Sequence, residues 1–227
     1  MTLADRMAMF AAGDLYLVIT EDFCAGRSPV KVLSEALQAG VRVVQLREKH
    51  LTDKEFYSRA LQFRELCSAK NALLVLNDRI DIALATDADG VHLGQDDLPI
   101  QAARSLAPEL IVGGSSHSLR EAVSAQEAGA SYVNIGPIFA TQTKAHTGIA
   151  LGPGAIKAIT PHLVVPWTVM GGIKASNVDL VLERGAKHVA VVTAVTAADD
   201  VAVACAELRE KIQGRGKSMV DSPAREF

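Results

Sequence analysis

Two apolar runs of the chain end in carboxylates that could hold a metal ion. Residues 73–76 lead directly into Asn77 and Asp78, and residues 90–93 lead into a turn that ends at Asp97. If these runs are neighbouring parallel strands about 4.8 Å apart, the carboxylates lie close together and repel unless a cation lies between them. For either segment alone, a helix cap or a turn is the better interpretation. Together they favour a Mg²⁺ site at Asp78 and Asp97, because Mg²⁺ typically takes one or two carboxylates plus waters and substrate phosphates.

A third run ends in polar residues that a strand would direct to one side. Gln45, Arg47 and Lys49 alternate with Leu46 and Glu48, and successive side chains of a strand point to opposite faces. Three polar side chains inside a barrel are costly unless something there pairs with them. A charged loop after a strand is the alternative. The net charge of −3 gives no electrostatic case for nucleic acid or an anionic membrane, so affinity for anions depends on local cations.

The last two of eight apolar runs in the chain predict a phosphate site made of backbone N–H groups. Gly172 follows the seventh run, residues 166–170, and Val192 and Thr193 stand at the end of the eighth, residues 188–192. The loops after strands 7 and 8 of an α/β barrel frequently bind phosphate. A glycine there lets backbone N–H groups reach the phosphate oxygens. This pairing predicts a class of ligand but no particular reaction.

The fifth and sixth runs also end in candidate ligand-binding residues. Gly113 and Gly114 precede Ser115, and such small residues permit a ligand to approach the backbone. For His117 we expect a hydrogen-bonded structural role, since the chain has no HxH or HExxH pairing. The loop after the sixth run could hold phosphate or carboxylate oxygens, although a solvated loop is the alternative. Its candidate residues are Thr141, Thr143 and Lys144.

These residues need a scaffold that gathers strand ends, and eight apolar runs predict one. The runs are too continuous for half-exposed antiparallel strands and are typical of parallel strands buried on both faces. Eight strands, a length of 227 residues and no GxGxxG motif after the first run favour a single (β/α)₈ TIM barrel over an open doubly wound sheet. The runs are residues 15–20, 41–46, 73–76, 90–93, 110–114, 132–135, 166–170 and 188–192.

Helix signals separate the runs. Thr52 and Glu55 form a capping-box pattern, as do Ser118 and Glu121. Two glycines stand where a left-handed cap would end a helix before the next strand, namely Gly40 and Gly185.

One domain accounts for most of the chain. We expect residues 1–214 to form the catalytic barrel and residues 215–227, which lose apolar periodicity, to form a disordered tail. Three widely spaced cysteines predict no disulfide framework, and no apolar stretch is long enough to cross a membrane. The N-terminal apolar run is too short for a secretion signal. These features favour a cytoplasmic location.

In this order, the polar residues resemble the thiamine-phosphate synthase family. The resemblance covers roughly residues 15–212. Its motifs are Gln45-x-Arg47-x-Lys49, Asn77-Asp78, Gly94-Gln95-x-Asp97, Ser115 with His117, Thr141-x-Thr143-Lys144, Gly171-Gly172-Ile173 and Val192-Thr193.

The resemblance implies a condensation of two phosphorylated heterocycles with Mg²⁺ as cofactor. A pyrimidine methyl diphosphate loses diphosphate, and the ring nitrogen of a thiazole phosphate attacks the methylene carbon. No acid or base residue is implied, whereas Arg47 and Lys144 would stabilise charge electrostatically and Asp78 and Asp97 would hold Mg²⁺. The implied pyrimidine-diphosphate ligands are Gln45, Arg47, Lys49, Asn77, Ser115 and Lys144. The implied thiazole-phosphate ligands are Thr141, Gln142, Thr143, Gly172, Val192 and Thr193.

Two positions depart from the family pattern. Gln142 stands where proline is usual, and Met170 stands where a smaller or branched residue often precedes Gly-Gly. The nearest alternative is a thiazole tautomerase-like isomerase on the same barrel. Such relatives tend to lack a complete diphosphate and Mg²⁺ set, which is present here. A non-catalytic binding module does not account for so many polar residues at strand ends. The resemblance is also compatible with a homodimer.

Overall fold

The eight predicted strands close into one parallel barrel in sequence order in the computed structural model. The structure describes residues 1–141, 143 and 149–218. The first strand pairs with both the second and the eighth, so the single (β/α)₈ barrel is confirmed and an open doubly wound sheet is excluded. Observed and predicted bounds agree to within two residues. The strands are β1 Leu15–Ile19, β2 Val43–Leu46, β3 Leu73–Asn77, β4 Gly90–Leu93, β5 Ile111–Ser116, β6 Tyr132–Ile135, β7 Trp167–Val169 and β8 Val189–Val191.

Helices connect successive strands and cover the outside of the barrel. Thr52 and Glu55 form the predicted capping box at the start of the third helix. Gly40 and Gly185 follow helices with φ of +91° and +90°, as predicted for left-handed caps. The described helices are α1 Leu3–Ala12, α2 Pro29–Gln38, α3 Asp53–Ala69, α4 Ile80–Ala85, α5 Ile100–Leu106, α6 Leu119–Glu127, α7 Gly154–Ile159, α8 Asp179–Leu182, α9 Thr193–Thr196 and α10 Val201–Ser218.

The predicted capping box at α6 is only half formed. Ser118 Oγ accepts a hydrogen bond from Glu121 N at 3.2 Å, as an N-cap should. The Glu121 carboxylate, however, accepts from the backbone N–H of His117 at 2.8 Å and also bonds the His117 ring. The glutamate therefore fixes His117, so the expected hydrogen bond of this histidine is confirmed, while its role stays a prediction because it also lines the cavity described below.

Helix α1, which we did not predict, closes the amino-terminal end of the barrel. Its Phe10 is buried and stacks on the Tyr132 ring, with 4.7 Å between the centroids. Arg6 lies 3.5 Å from the buried carboxylate of Asp89, which also pairs with Arg64 at 2.5 Å. A carboxylate this deeply buried is tolerated because two guanidinium groups compensate its charge.

The glycines of β5 make room for packing inside the protein. A Cβ atom on Gly113 would lie 2.2 Å from the Tyr132 ring, and one on Gly114 would lie 2.8 Å from Ile100. The expectation that Gly113 and Gly114 let a ligand approach the backbone is therefore wrong. Tyr132 fills the space in the barrel interior that a side chain at Gly113 would need.

The end of the chain differs in part from the predicted division at residue 214. Helix α10 continues to Ser218, and residues 219–227 of the predicted tail lie outside the described residues. Disorder of the tail stays a prediction. Among the residues that the structure describes, no helix combines the length and apolarity needed to cross a bilayer.

Candidate active site

The carboxyl ends of the strands surround a cavity of about 820 Å³, where α/β barrels place their active sites. Each predicted site residue within the described part of the chain lines it. Gln142 and Lys144 lie outside the described residues. The ligand that each residue contacts stays a prediction. The lining residues from the predicted set are Gln45, Arg47, Lys49, Asn77, Asp78, Asp97, Ser115, Thr141, Thr143, Gly172, Val192 and Thr193.

Asp78 and Asp97 meet at the ends of β3 and β4, as their positions predicted. The two side chains are hydrogen-bonded to each other, and Lys49 forms an ion pair with Asp78. Burial raises the pKa of Asp78, the bond to Asp97 raises it further, and Lys49 acts in the opposite direction. Two carboxyl groups this close must share a proton or bind a cation.

The backbone at Asp78 is not that of a helix cap, whereas Asp97 does lie in a turn. Asp78 has φ +62°, in the left-handed region, and its N–H donates to His92 O at 2.9 Å. Neither Asn77 nor Asp78 caps α4, since the N-cap of that helix is Arg79. Asp97 Oδ2 accepts from Gly94 N at 2.7 Å, so Asp97 also closes its own turn. Strained backbone at a carboxylate is typical of functional sites.

The donor set fits Mg²⁺ better than a metal enclosed by protein alone. Within the described ranges, no group of three or more His, Cys, Asp or Glu side chains could hold a metal ion. Mg²⁺ needs only one or two carboxylates, because waters and phosphate oxygens complete its octahedral shell. Asp78 and Asp97 could therefore hold Mg²⁺ together with an anionic ligand.

Polar side chains next to the aspartates also line the cavity. Gln45 and Asn77 are only 2% and 6% exposed, and Asn77 Nδ2 has no hydrogen-bond partner among the described residues. A buried donor without a partner costs about 1–3 kcal/mol, so a ligand acceptor in the cavity would relieve that cost. The Arg47 guanidinium, half-buried beside them, also faces no ion-pair partner in the described part of the chain. These groups are therefore available to a polar ligand.

On the opposite side, glycine backbone and the start of a short helix line the cavity. Gly171 and Gly172 have φ of +103° and +61°, and Asn177 Nδ2 donates to Gly172 O at 2.9 Å. Val192 precedes α9 and Thr193 begins it. The first N–H groups of a helix have no acceptor within the helix, so they can bind an anion. This side carries backbone donors and no carboxylate pair.

The loop after β6 adds hydroxyl groups between the two sides. Thr141 Oγ1 and Thr143 Oγ1 lie 2.5 Å apart, and Thr143 N donates to Thr141 Oγ1 at 3.3 Å. Met170, one of the two unusual residues, lines the cavity and packs against the barrel interior.

Further polar residues, which were not among the predicted site residues, lie within the strands themselves. Asn134 lines the cavity, and its Oδ1 accepts from Thr168 Oγ1 at 2.7 Å. Tyr16, His92 and Tyr132 form a hydrogen-bonded row beneath the cavity. Each stands in an otherwise apolar run at a position that faces the interior, and that alternation is the signal by which they could have been found.

Comparisons with known proteins show the family to which the chain belongs. A family model described as thiamine monophosphate synthase matches residues 15–195. A thiamine-phosphate synthase from Methanospirillum hungatei JF-1 is 44% identical over 191 residues, which are 84% of this chain and 93% of the relative. One from Chloroflexus aurantiacus is 44% identical over 195 residues, 86% of this chain and 90% of the relative.

A solved structure also places the chain in this family. The thiamine phosphate pyrophosphorylase from Pyrococcus furiosus superimposes with a TM-score of 0.82 at 36% identity, covering 89% of this chain and 96% of that one. The family model and the relatives each span most of the barrel that builds the cavity. The chain therefore belongs to the thiamine-phosphate synthase family of enzymes.

Proposed function

We propose that the chain condenses an aminopyrimidine methyl diphosphate with a hydroxyethylthiazole phosphate, giving thiamine phosphate and diphosphate. The observation that carries this proposal is that the two sides of one cavity have unlike linings, each suited to an anion. Asp78, Asp97 and nearby cations form one side, whereas Gly172 and the start of α9 form the other. A reaction of two phosphorylated substrates, one of which loses diphosphate, accounts for both sides.

In the proposed reaction, the bond from the pyrimidine methylene carbon to the diphosphate oxygen breaks first. Its electron pair leaves with the diphosphate, and the lone pair of the thiazole nitrogen then forms the new C–N bond. That nitrogen carries no hydrogen, so the attack releases no proton and needs no general base. The chain accordingly has to bind, orient and stabilise charge.

The residues would divide these tasks as follows. Arg47 and Lys49 would donate charge-assisted hydrogen bonds to the departing diphosphate, while Gln45 and Asn77 would orient the pyrimidine. Asp78 and Asp97 would hold Mg²⁺. When bound, Mg²⁺ would neutralise charge on the leaving diphosphate. Ser115 and Lys144, the latter outside the described residues, would complete the diphosphate site. On the other side, the N–H groups near Gly172 and Thr193 would bind the thiazole phosphate.

The test is a quenched assay with both heterocycles and Mg²⁺. We expect thiamine phosphate and diphosphate in equal amounts, and neither product when one heterocycle is omitted. Failure to release diphosphate with both substrates present would refute the proposal. Rearrangement of a thiazole isomer without the pyrimidine would instead support a tautomerase-like isomerase.

A further inference from the structure

A row of buried hydrogen bonds crosses the barrel interior beneath the cavity. Gln45 Nε2 donates to Tyr16 Oη at 2.8 Å, and Tyr16 Oη lies 2.8 Å from Tyr132 Oη. Tyr132 Oη lies 2.8 Å from His92 Nδ1, and His92 Nε2 lies 2.9 Å from Ser115 Oγ. The row therefore joins Gln45 on one side of the cavity to His92 and Ser115 on the other, through two tyrosines that do not line the cavity.

With a neutral His92, the hydrogens available in the row allow two directions of donation. Each phenol, and each neutral imidazole, has a single hydrogen to donate. If Gln45 Nε2 donates, Tyr16 donates to Tyr132, Tyr132 donates to His92 Nδ1, and His92 Nε2–H donates to Ser115. If Ser115 donates instead, every bond reverses and Gln45 must present its oxygen to Tyr16. A mixed pattern leaves a buried donor unpaired, which is costly.

The two tyrosines keep their hydrogens, so neither phenol changes the number of donors in the row by ionising. Burial is the main cause that raises the pKa of both the Tyr16 and Tyr132 phenols well above the ordinary value. Each phenol therefore stays neutral and donates one hydrogen bond near neutral pH.

The packing around Tyr132 holds the row in place. Phe10 stacks on the Tyr132 ring on one side, and His92 stacks on it with 5.6 Å between centroids. Gly113 leaves the space that the ring occupies, since a Cβ atom there would lie 2.2 Å from it. The ring cannot rotate away without disturbing the end of the barrel that α1 closes.

We propose that Tyr132 and His92 are positioning residues that couple the two ends of the pyrimidine-diphosphate site through this row. In the direction set by Gln45, the glutamine turns its Oε1 toward the cavity as an acceptor. At the other end, the Ser115 hydroxyl keeps its hydrogen for a cavity ligand. The row thus selects a ligand with an N–H donor at one end and an anionic oxygen at the other. That choice of ligand rests on the function proposed above.

The direction can be measured without any ligand or variant. The ¹⁵N shifts of a histidine ring report whether one or both ring nitrogens carry hydrogen, and which one does when the ring is neutral. The His92 signal can be assigned through its contacts with the stacked Tyr132 ring. We expect hydrogen on Nε2 and none on Nδ1. Hydrogen on Nδ1 in the wild-type protein would overturn the inference.

Coupling is tested with Tyr132→Phe, which removes the hydroxyl and keeps the ring. We expect the His92 preference for Nε2–H to weaken and the Kd for inorganic diphosphate with Mg²⁺ to rise about tenfold, roughly one hydrogen bond. The KM for the thiazole phosphate should not change. Tyr57→Phe, which removes a hydroxyl from an exposed tyrosine of α3, is the matched control and should leave all three unchanged.

The outcomes separate this inference from the proposed function. Equal diphosphate affinity in Tyr132→Phe and Tyr57→Phe would refute the coupling, whether or not the wild-type enzyme turns over. Conversely, the expected tautomer and weaker diphosphate binding would support the row even if no thiamine phosphate formed.

Discussion

Gly172→Ala changes the backbone at the point where the proposed phosphate-binding side of the cavity packs against the loop after β6. Gly172 has φ +61°, where an alanine costs roughly 1–2 kcal/mol. A Cβ atom there would also lie 2.5 Å from Ala140 O and 2.8 Å from Phe139 Cβ. The first of these is a backbone atom, so it cannot move aside as the end of a side chain would. The two loops must therefore separate.

The size of this displacement sets the expected effect on catalysis. Ordinary contacts of a Cβ atom begin near 3.4 Å, so the backbone N–H groups near Gly172 must shift by about 1 Å. A misplacement of about 1 Å can cost on the order of 100-fold in rate. We expect kcat/KM for the thiazole phosphate to fall by that order, while the Kd for diphosphate with Mg²⁺ changes little. Steady-state kinetics and calorimetric titration measure the two quantities.

Gly185→Ala is the matched control for backbone strain. Gly185 has φ +90°, but a Cβ atom there would meet nothing within 4 Å, and the residue does not line the cavity. This variant should lose roughly 1–2 kcal/mol of unfolding free energy and keep its kcat/KM. If the two variants lose the same catalytic efficiency, or if Gly172→Ala retains wild-type kinetics, the role assigned to this backbone is refuted.

Three further perturbations follow from other parts of the structure. Asp89→Ala leaves the buried Arg6 and the partly buried Arg64 without their shared carboxylate and should cost about 3–5 kcal/mol in chemical denaturation; a loss no larger than that of the exposed ion-pair variant Asp81→Ala, about 1 kcal/mol or less, would contradict this. Arg47→Gln should raise the KM for the pyrimidine diphosphate about 10- to 100-fold, as expected for a charge-assisted bond, and an unchanged KM would remove Arg47 from the site. Truncation after Gly214 retains Ile212, the last buried residue described in α10, so activity and thermal midpoint should be unchanged, and loss of folding would refute the predicted domain boundary.

The strands could be predicted because a parallel strand buried on both faces needs apolar residues throughout its length. Gly90–Leu93 and Tyr132–Ile135 were predicted to the residue. The carboxylate pair could also be predicted, since Asp78 and Asp97 follow neighbouring strands, whose ends must be close. In both cases the backbone geometry of a parallel sheet translates position in the sequence directly into position in space.

The residues inside the barrel could not be placed in the same way. Tyr16 and Tyr132 look like ordinary core aromatics in an apolar run, and only the structure brings their hydroxyls together across 116 residues of sequence. Gly113 was assigned to a ligand because nothing local indicates that the Tyr132 ring needs its space. Contacts between strands that are distant in sequence decide these roles, so they cannot be predicted from the sequence of one strand alone.

Helix α1 was missed for a different reason. Its buried residues Arg6 and Phe10 are few, because only one end of the barrel lies beneath them. A charged residue interrupts the buried face of this helix, and Arg6 is buried there because Asp89 compensates its charge. Pairing with a carboxylate far along the chain cannot be inferred from the first residues alone.

The central claim is that one cavity holds two anion sites, of which one depends on Mg²⁺. Calorimetric titration of the double variant that carries both Asp78→Asn and Asp97→Asn tests it most directly. The wild-type protein should bind inorganic diphosphate only when Mg²⁺ is present. The double variant should lose that binding and retain wild-type affinity for the thiazole phosphate. Diphosphate binding that persists in the variant, or that needs no Mg²⁺ in the wild type, would contradict the account.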